Sequence, residues 1–364
     1  MFFFQPYFVY LHWVNSPFSD VTYPTKYGFR ENSVSHFYFN TSDKVTLSGW
    51  HVKPRKFEKI FLKNVKSEVK ADGSLELNYS ELPNAKRVCI YFHGNAGDIK
   101  SLGFKKITAL EGTHLFTIDY RGFGLSSKKE TPSEKGLELD AVAIFTYLTK
   151  DLNVDPKKII LIGHSLGSGV ATNLAKLLTE TQHEYGGLVL VSGYSSVPEA
   201  SLTYPIIPVL LPLNNFDFIK KNIKYLLSEK FLNEEKLFYL ERPCFIVHGL
   251  NDYEIKPTMS KSNFFSFIKG LTNRHLTPSN IFNNSFVAPN ENEITEPYHS
   301  RHFGVFPVKS HFSGEVEGFI WKSNLPKYVN LMWYLELVFA GHNNVQDYEL
   351  FMHSLNEWLM FNKI

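Results

Sequence analysis

The chain has 364 residues, 43% of them hydrophobic, enough to fill one large α/β domain with insertions or two small ones. Lys and Arg number 38 against 36 Asp and Glu, and a formal charge of +2 gives no reason to expect nucleic acid as a partner. The two cysteines, Cys89 and Cys244, each sit inside an apolar run, which excludes a disulfide framework and a cysteine-rich metal site.

The N-terminal stretch MFFFQPYFVYLHWV is aromatic but interrupted by Gln5, Pro6 and His12. It is too short to span a bilayer, and it lacks the basic region and small-residue cleavage site of a signal peptide. Residues 1–26 are therefore expected to pack on the domain, with an interfacial anchor making peripheral membrane contact as the alternative. Residues 27–364 read as a single domain. "SHFYFN" and "VTLSGWHV" predict two early strands, and a Lys-rich segment with an Asp72-Gly73 turn follows. "VCIYFHG", "HLFTIDY" (114–120), "IILIG" (159–163), "LVLVSG" (188–193) and "CFIVHG" (244–249) are continuous rather than alternating apolar runs. Strands of a parallel sheet buried on both faces read this way. Helices are expected between them. One opens at "TPSEKGLELDA", with Thr131 as cap, Pro132 in the first turn and Glu134 three residues on. One runs from Ser165 to about Leu178, and the last from about Gln346 to Phe361. This alternation predicts an α/β fold with a doubly wound, mostly parallel sheet.

Two segments break the alternation. Residues 197–240, which include "PIIPVLLPL", read as a cap insertion above the sheet. Its prolines forbid both a regular helix and a central strand, which leaves Leu210 and Leu211 as candidate walls for an apolar substrate. Residues 271–330, polar and rich in asparagine, read as an irregular insertion.

Gly163-His164-Ser165-Leu166-Gly167 fits G-x-S-x-G between a predicted strand and a predicted helix. Such a turn holds its serine in a strained conformation, and the flanking glycines let strand and helix approach without Cβ clashes. A serine hydroxyl needs a base, and the expected chain order is serine, then acid, then histidine. Asp252 follows the "CFIVHG" strand, with Glu254 as its rival. His342 follows the last predicted strand, "LELVFA". His248 reads as a strand-end structural residue, while His275, His299, His302 and His311 fall in the irregular insertion. An oxyanion requires two N–H donors. Leu166, at the start of the helix, is one candidate, and Asn95, in the glycine-flanked loop His93–Gly97, is the other.

Taken as a set, HGNAGD (93–98), DYRGFG (119–124), the TPSEKGLELDA run, the elbow, HGLND and GHNN resemble the α/β-hydrolase superfamily. They are most similar to the branch containing the α/β-hydrolase-domain twelve, thirteen and seventeen proteins, over about residues 27–270 and 330–362. The resemblance implies an α/β-hydrolase fold with a helical cap. Carried over, Ser165 is the nucleophile, Asp252 the orienting acid and His342 the base, with no metal and no other cofactor. Asp119 and Arg121 tie loops at a strand end. The run YGFRENSVSHFYFNTSDKVTLSGWHVKP is most similar to the twelve group, which implies hydrolysis of monoacylglycerol or lysophospholipid acyl esters. A lipid-like ester is then the expected substrate. The expected place is a membrane surface, that of the endoplasmic reticulum, with the cytoplasm as the alternative. Protein depalmitoylation, implied by the seventeen group, and a non-catalytic binding protein on the same fold are the rival readings. Two features depart from the twelve group: no membrane-spanning helix precedes the domain, and the segment between Asp252 and His342 is longer.

Overall fold

The structure, a computed structural model, describes residues 5–12, 24–30, 33–54, 79, 81–99, 103–202, 222, 225, 227–276, 303–309, 316–323 and 329–364. Ten strands form one sheet: β1 (Val34–Asn40), β2 (Thr46–Val52), β3 (Arg87–Phe92), β4 (Thr113–Ile118), β5 (Ile159–His164), β6 (Gly187–Val191), β7 (Cys244–Gly249), β8 (Phe303–Lys309), β9 (Val316–Ser323) and β10 (Met332–Leu337). Their order is β1-β2-β4-β3-β5-β6-β7-β10-β9-β8. The six central strands, β4 to β10 in that order, pair in parallel. Antiparallel hairpins flank them on both sides, β1–β2 and β8–β9.

The continuous apolar runs follow from this arrangement. Alternate residues of each central strand enter opposite layers, and both layers are core. Ile159 and Leu161 of β5, with Leu188 and Leu190 of β6, pack into one layer, while Ile160, Ile162, Val189 and Val191 pack into the other. Cys89 and Cys244 are buried and free. The helices Glu134–Thr146, Leu166–Glu180 and Pro257–Leu276 contribute to the first layer, and the C-terminal helix Glu349–Phe361 closes the second.

Two sequence expectations need correction. The helix after the DYRGFG loop is capped by Ser133, not Thr131. Ser133 is extended, and its hydroxyl accepts from the Gly136 amide, while Glu134 is the first helical residue. The Glu134 carboxylate does not fold back on its own cap, because it accepts from the amides of Lys230 and Phe231 and from Asn173 and Lys236. The segment 271–330 is also more regular than expected. The helix Pro257–Leu276 runs into it, and β8 and β9 extend the sheet beyond β10. Pro307, opposite Phe319 of β9, lies on an edge strand, where alternate N–H groups point away from the single neighbour and proline is tolerated. Of the cap, short helices Val197–Ser201 and Asn233–Leu237 are described. Leu210 and Leu211 lie outside the described residues.

The chain passes from β3 to β4 on one side and then crosses to β5 on the other. This reversal opens a crevice at the carboxyl ends of β3 and β5, where open α/β sheets place their sites.

Candidate active site

Ser165 sits between the end of β5 and the first turn of the helix Leu166–Glu180, at φ 51° and ψ −117°. Such a backbone costs a non-glycine residue on the order of 1–3 kcal/mol. Its surroundings hold it there. A Cβ on Gly163 would lie 2.2 Å from the Gly167 carbonyl oxygen, and one on Gly167 would lie 2.0 Å from that of Phe92. Only glycine at both positions lets the strand, the turn and β3 come this close. The Ser165 amide is fixed by the Val191 carbonyl at 3.0 Å.

The side chains expected from the sequence converge here. His342 Nε2 is 2.9 Å from Ser165 Oγ, and His342 Nδ1 is 2.7 Å from Asp252 Oδ2. A carboxylate can only accept, so Nδ1 carries the proton and Nε2 is left to accept from the serine hydroxyl. Ser165, Asp252 and His342 are 8%, 6% and 7% exposed, dry enough to strengthen each contact. Asp252 Oδ1 accepts from the amides of Glu254 and Ile255. Burial works to raise the Asp252 pKa, but the bonds from His248 and then His342 outweigh it and hold the carboxyl well below the usual range.

β7 and β10 are parallel neighbours, so the loops carrying Asp252 and His342 leave the same edge side by side. A Cβ on Gly249 would fall 2.2 Å from the Ala340 carbonyl oxygen, which instead accepts from the Asn251 amide at 3.0 Å. Three contacts were not anticipated as parts of the site. His248 Nε2 lies 2.9 Å from Asp252 Oδ2, and its Nδ1 lies 2.7 Å from Ser260 Oγ, so this strand-end histidine supports the acid directly. His164 Nε2 and Ser192 Oγ both donate to the carbonyl of His342, at 3.0 and 3.1 Å. Burial, then the neighbouring His342, push the His164 pKa down to about 3, so it serves as a neutral donor. The spacing of His164 beside Ser165 signalled proximity; nothing in the sequence around Ser192 signalled its role.

Glu254, the sequence rival to Asp252, is not on Nδ1. Its Oε2 is 3.9 Å from His342 Nε2, on the other side of the ring. The loop after β3 lies against the serine, since a Cβ on Gly94 would be 3.3 Å from the Ser165 Cβ. The turn is closed by the Gly97 amide on the Gly94 carbonyl, and the Asn95 side chain accepts from the Ala96 amide. Among the described residues, neither the Asn95 nor the Leu166 main-chain N–H is hydrogen-bonded to an acceptor, so both remain available to an incoming oxygen. Asp119 accepts from the amides of Ile99 and Leu125, Arg121 pairs with Asp140 and Asp43, and Tyr120 donates to the His93 carbonyl. These bonds anchor the β3 loop from behind. Among the described residues there is no group of three or more His, Cys, Asp or Glu that could hold a metal ion, and no helix long and apolar enough to cross a membrane.

Residues 83–229 match a family model described as serine aminopeptidase, S33. The chain is 30% identical over 250 residues to lysophosphatidylserine lipase ABHD12 of Mus musculus, covering 67% of this chain and 58% of that protein. It thus spans little more than half the length of the curated relatives it matches. Among solved structures, an alpha-beta hydrolase from Vibrio vulnificus aligns with TM-score 0.54 and 19% identity, over 73% of this chain and 82% of that one. An esterase from Pyrococcus furiosus aligns with TM-score 0.53 and 16% identity, over 93% and 94%. From the sheet, the elbow and these relatives, the chain has the α/β-hydrolase fold and is similar in sequence to the lysophosphatidylserine lipase group.

Proposed function

We propose that the chain is a serine hydrolase of carboxylic esters and that its substrates are monoacylglycerol- or lysophospholipid-type acyl esters. The observation that carries the proposal is the unbroken hydrogen-bonded chain from Ser165 through His342 to Asp252 at the carboxyl edge of the sheet.

In this reading Ser165 Oγ attacks the ester carbonyl carbon while His342 Nε2 takes the hydroxyl proton. The carbonyl π electrons move to oxygen, and the resulting oxyanion is held by the N–H groups of Asn95 and Leu166. Collapse breaks the bond to the leaving alcohol oxygen, which receives the proton from His342, and an acyl-enzyme remains. Water then attacks the acyl carbon, His342 takes its proton and returns it to Ser165, and the carboxylic acid departs. Asp252 keeps the imidazole in one tautomer and offsets its charge while it is protonated. The choice of lipid rests on the similarity to the lysophosphatidylserine lipases and on the apolar run around Leu210 and Leu211, which we assign to the acyl wall. Contact with a membrane surface belongs to the same proposal.

The test is hydrolysis of a panel of monoacyl esters of rising chain length, below the micelle threshold, with fluorophosphonate labelling alongside. Ser165→Ala should lose labelling and fall by about 10⁴-fold or more in rate; retention of more than roughly a tenth of wild-type activity refutes the assignment. The specificity constant should climb with chain length, since each buried CH₂ contributes roughly 0.8 kcal/mol. Leu210→Asp with Leu211→Asp should remove that climb while a short ester is still cleaved.

A further inference from the structure

The position of Glu254 bears on which esters the site accepts. Its side chain is 31% exposed, Oε1 accepts from Asn343 Nδ2 at 2.9 Å, and Oε2 stands 3.9 Å from His342 Nε2. That nitrogen also faces Ser165 Oγ, so it is the atom that must meet the leaving alcohol. The leaving oxygen comes within hydrogen-bond reach of Nε2, about 3 Å, when it takes the proton. Whatever the direction of approach, it then lies no more than about 7 Å from the Glu254 carboxylate. Groups on the neighbouring carbon of the alcohol lie within about 10 Å of that carboxylate, a separation over which charges still interact at about 0.1 M salt or below.

A carboxylate accepts hydrogen bonds and donates none. A hydroxyl next to the ester oxygen can donate to it. A phosphate at that distance cannot, and it meets a like charge in a partly shielded pocket, where repulsion is stronger than in bulk water. Asp252 does not relieve this repulsion: it is itself anionic and is already engaged by His248 and His342 on the far side of the ring. His164, the other titratable group against His342, donates to the His342 carbonyl.

We infer that Glu254 selects the head group, favouring esters of uncharged polyols such as glycerol over esters whose alcohol carries an anionic phosphate. The inference rests on the proposed ester hydrolysis and deepens it, because it divides the monoacylglycerols from the lysophospholipids. Glu254 is then a specificity determinant, and its contribution is a repulsive one.

The experiment compares kcat/KM for a 1-monoacylglycerol and for the lysophosphatidate of the same acyl chain, both below their micelle thresholds, in wild type and Glu254→Gln. Wild type should prefer the glycerol ester, and Glu254→Gln should shrink the preference about tenfold at low ionic strength. Added salt should shrink it in wild type and leave it unchanged in Glu254→Gln, because only a charge is screened. An identical preference in the two proteins overturns the inference. So does an equal loss on both substrates, which would mean that the carboxylate acts on the His342 imidazole rather than on the head group. Either result, in a protein whose activity still disappears with Ser165→Ala, leaves the ester-hydrolase reading intact; activity that survives Ser165→Ala removes that reading instead.

Discussion

Gly167→Ala probes whether the elbow depends on close backbone approach. A methyl there would sit 2.0 Å from the Phe92 carbonyl oxygen, 2.5 Å from its carbon and 2.8 Å from the His93 carbonyl oxygen. These are backbone atoms of β3 and its loop, so no side chain can rotate away. A carbon–oxygen contact needs about 3.3 Å, so the first helical turn must retreat by roughly 1.3 Å. Overpacking of this kind costs about 1–3 kcal/mol, and alanine returns up to about 1 kcal/mol of helix propensity. A net loss of roughly 0–3 kcal/mol is small beside a typical stability of about 5–15 kcal/mol, so the variant should fold. The retreat separates Ser165 and the Leu166 amide from the Asn95 loop, and a displacement of about 1 Å at a reacting centre costs on the order of 100-fold. The assay is kcat/KM on a short-chain ester, read beside the thermal unfolding midpoint. The expected result is a fall of about 100-fold with a midpoint only a few degrees lower. Activity within about threefold of wild type would refute the reasoning, since it would mean that the contact does not set the serine's position.

Three further outcomes follow from the geometry. Asp252→Asn should lower kcat by about 10⁴-fold through loss of the imidazole tautomer. Because the Asp252 pKa is depressed in the folded chain, wild type should also lose stability as pH falls below about 4, and urea titrations should show that loss flattened in the variant. Asp119 behaves oppositely: burial pushes its pKa up to about 6, against the amides of Leu125 and Ile99, so its stabilising contribution is present in acid and is lost as pH rises through about 6. The stability gap between wild type and Asp119→Asn should therefore narrow from pH 5 to pH 7, and a widening gap would mean that the two amides outweigh burial. Glu134→Ala strands the amides of Lys230 and Phe231 and removes the partner of Lys236, and should lower unfolding stability by about 2–4 kcal/mol in urea.

The central strands were legible because a parallel sheet covered on both faces leaves no polar alternation to confuse them, as in Ile159–Ile162 and Phe245–Val247. Ser165, Asp252 and His342 were legible for a related reason: each follows such a run by a few residues, and the ends of parallel strands share one edge. The edge hairpin β8–β9 was missed. β9 carries Glu317, Lys322 and Ser323 and β8 carries Pro307, and an edge strand has only one neighbour to constrain its composition. The cap of the helix Glu134–Thr146 was misplaced by two residues because Thr131, Pro132 and Ser133 offer two hydroxyls around one proline. What selects Ser133 is a distant event, the capture of Glu134 by the amides of Lys230 and Phe231. His248 read as structural because sequence distance cannot show that its ring turns back onto Asp252.

The length of chain between Asp252 and His342 is compatible with a precise site because of where the extra residues go. β7 and β10 pair in register from Met332 and Cys244 through Leu337 and Gly249, and the Leu250 and Asn251 amides continue the contact to the Leu337 and Ala340 carbonyls. The helix Pro257–Leu276 packs on the first layer, and β8–β9 adds to the far side of β10, so neither lies between the two strands. The distance from Asp252 to His342 is thus set by one strand spacing and by the glycine at 249 that admits Ala340. The same holds for Ser165, fixed by Gly163 and Gly167 against β3 and by the Val191 carbonyl of β6. His164 and Ser192 then join the β5 and β6 ends to the His342 carbonyl, so that four strand ends hold one imidazole. Alignment of the three side chains is accordingly a property of the sheet edge, and the insertions can vary in length and composition as long as they leave that edge uncovered.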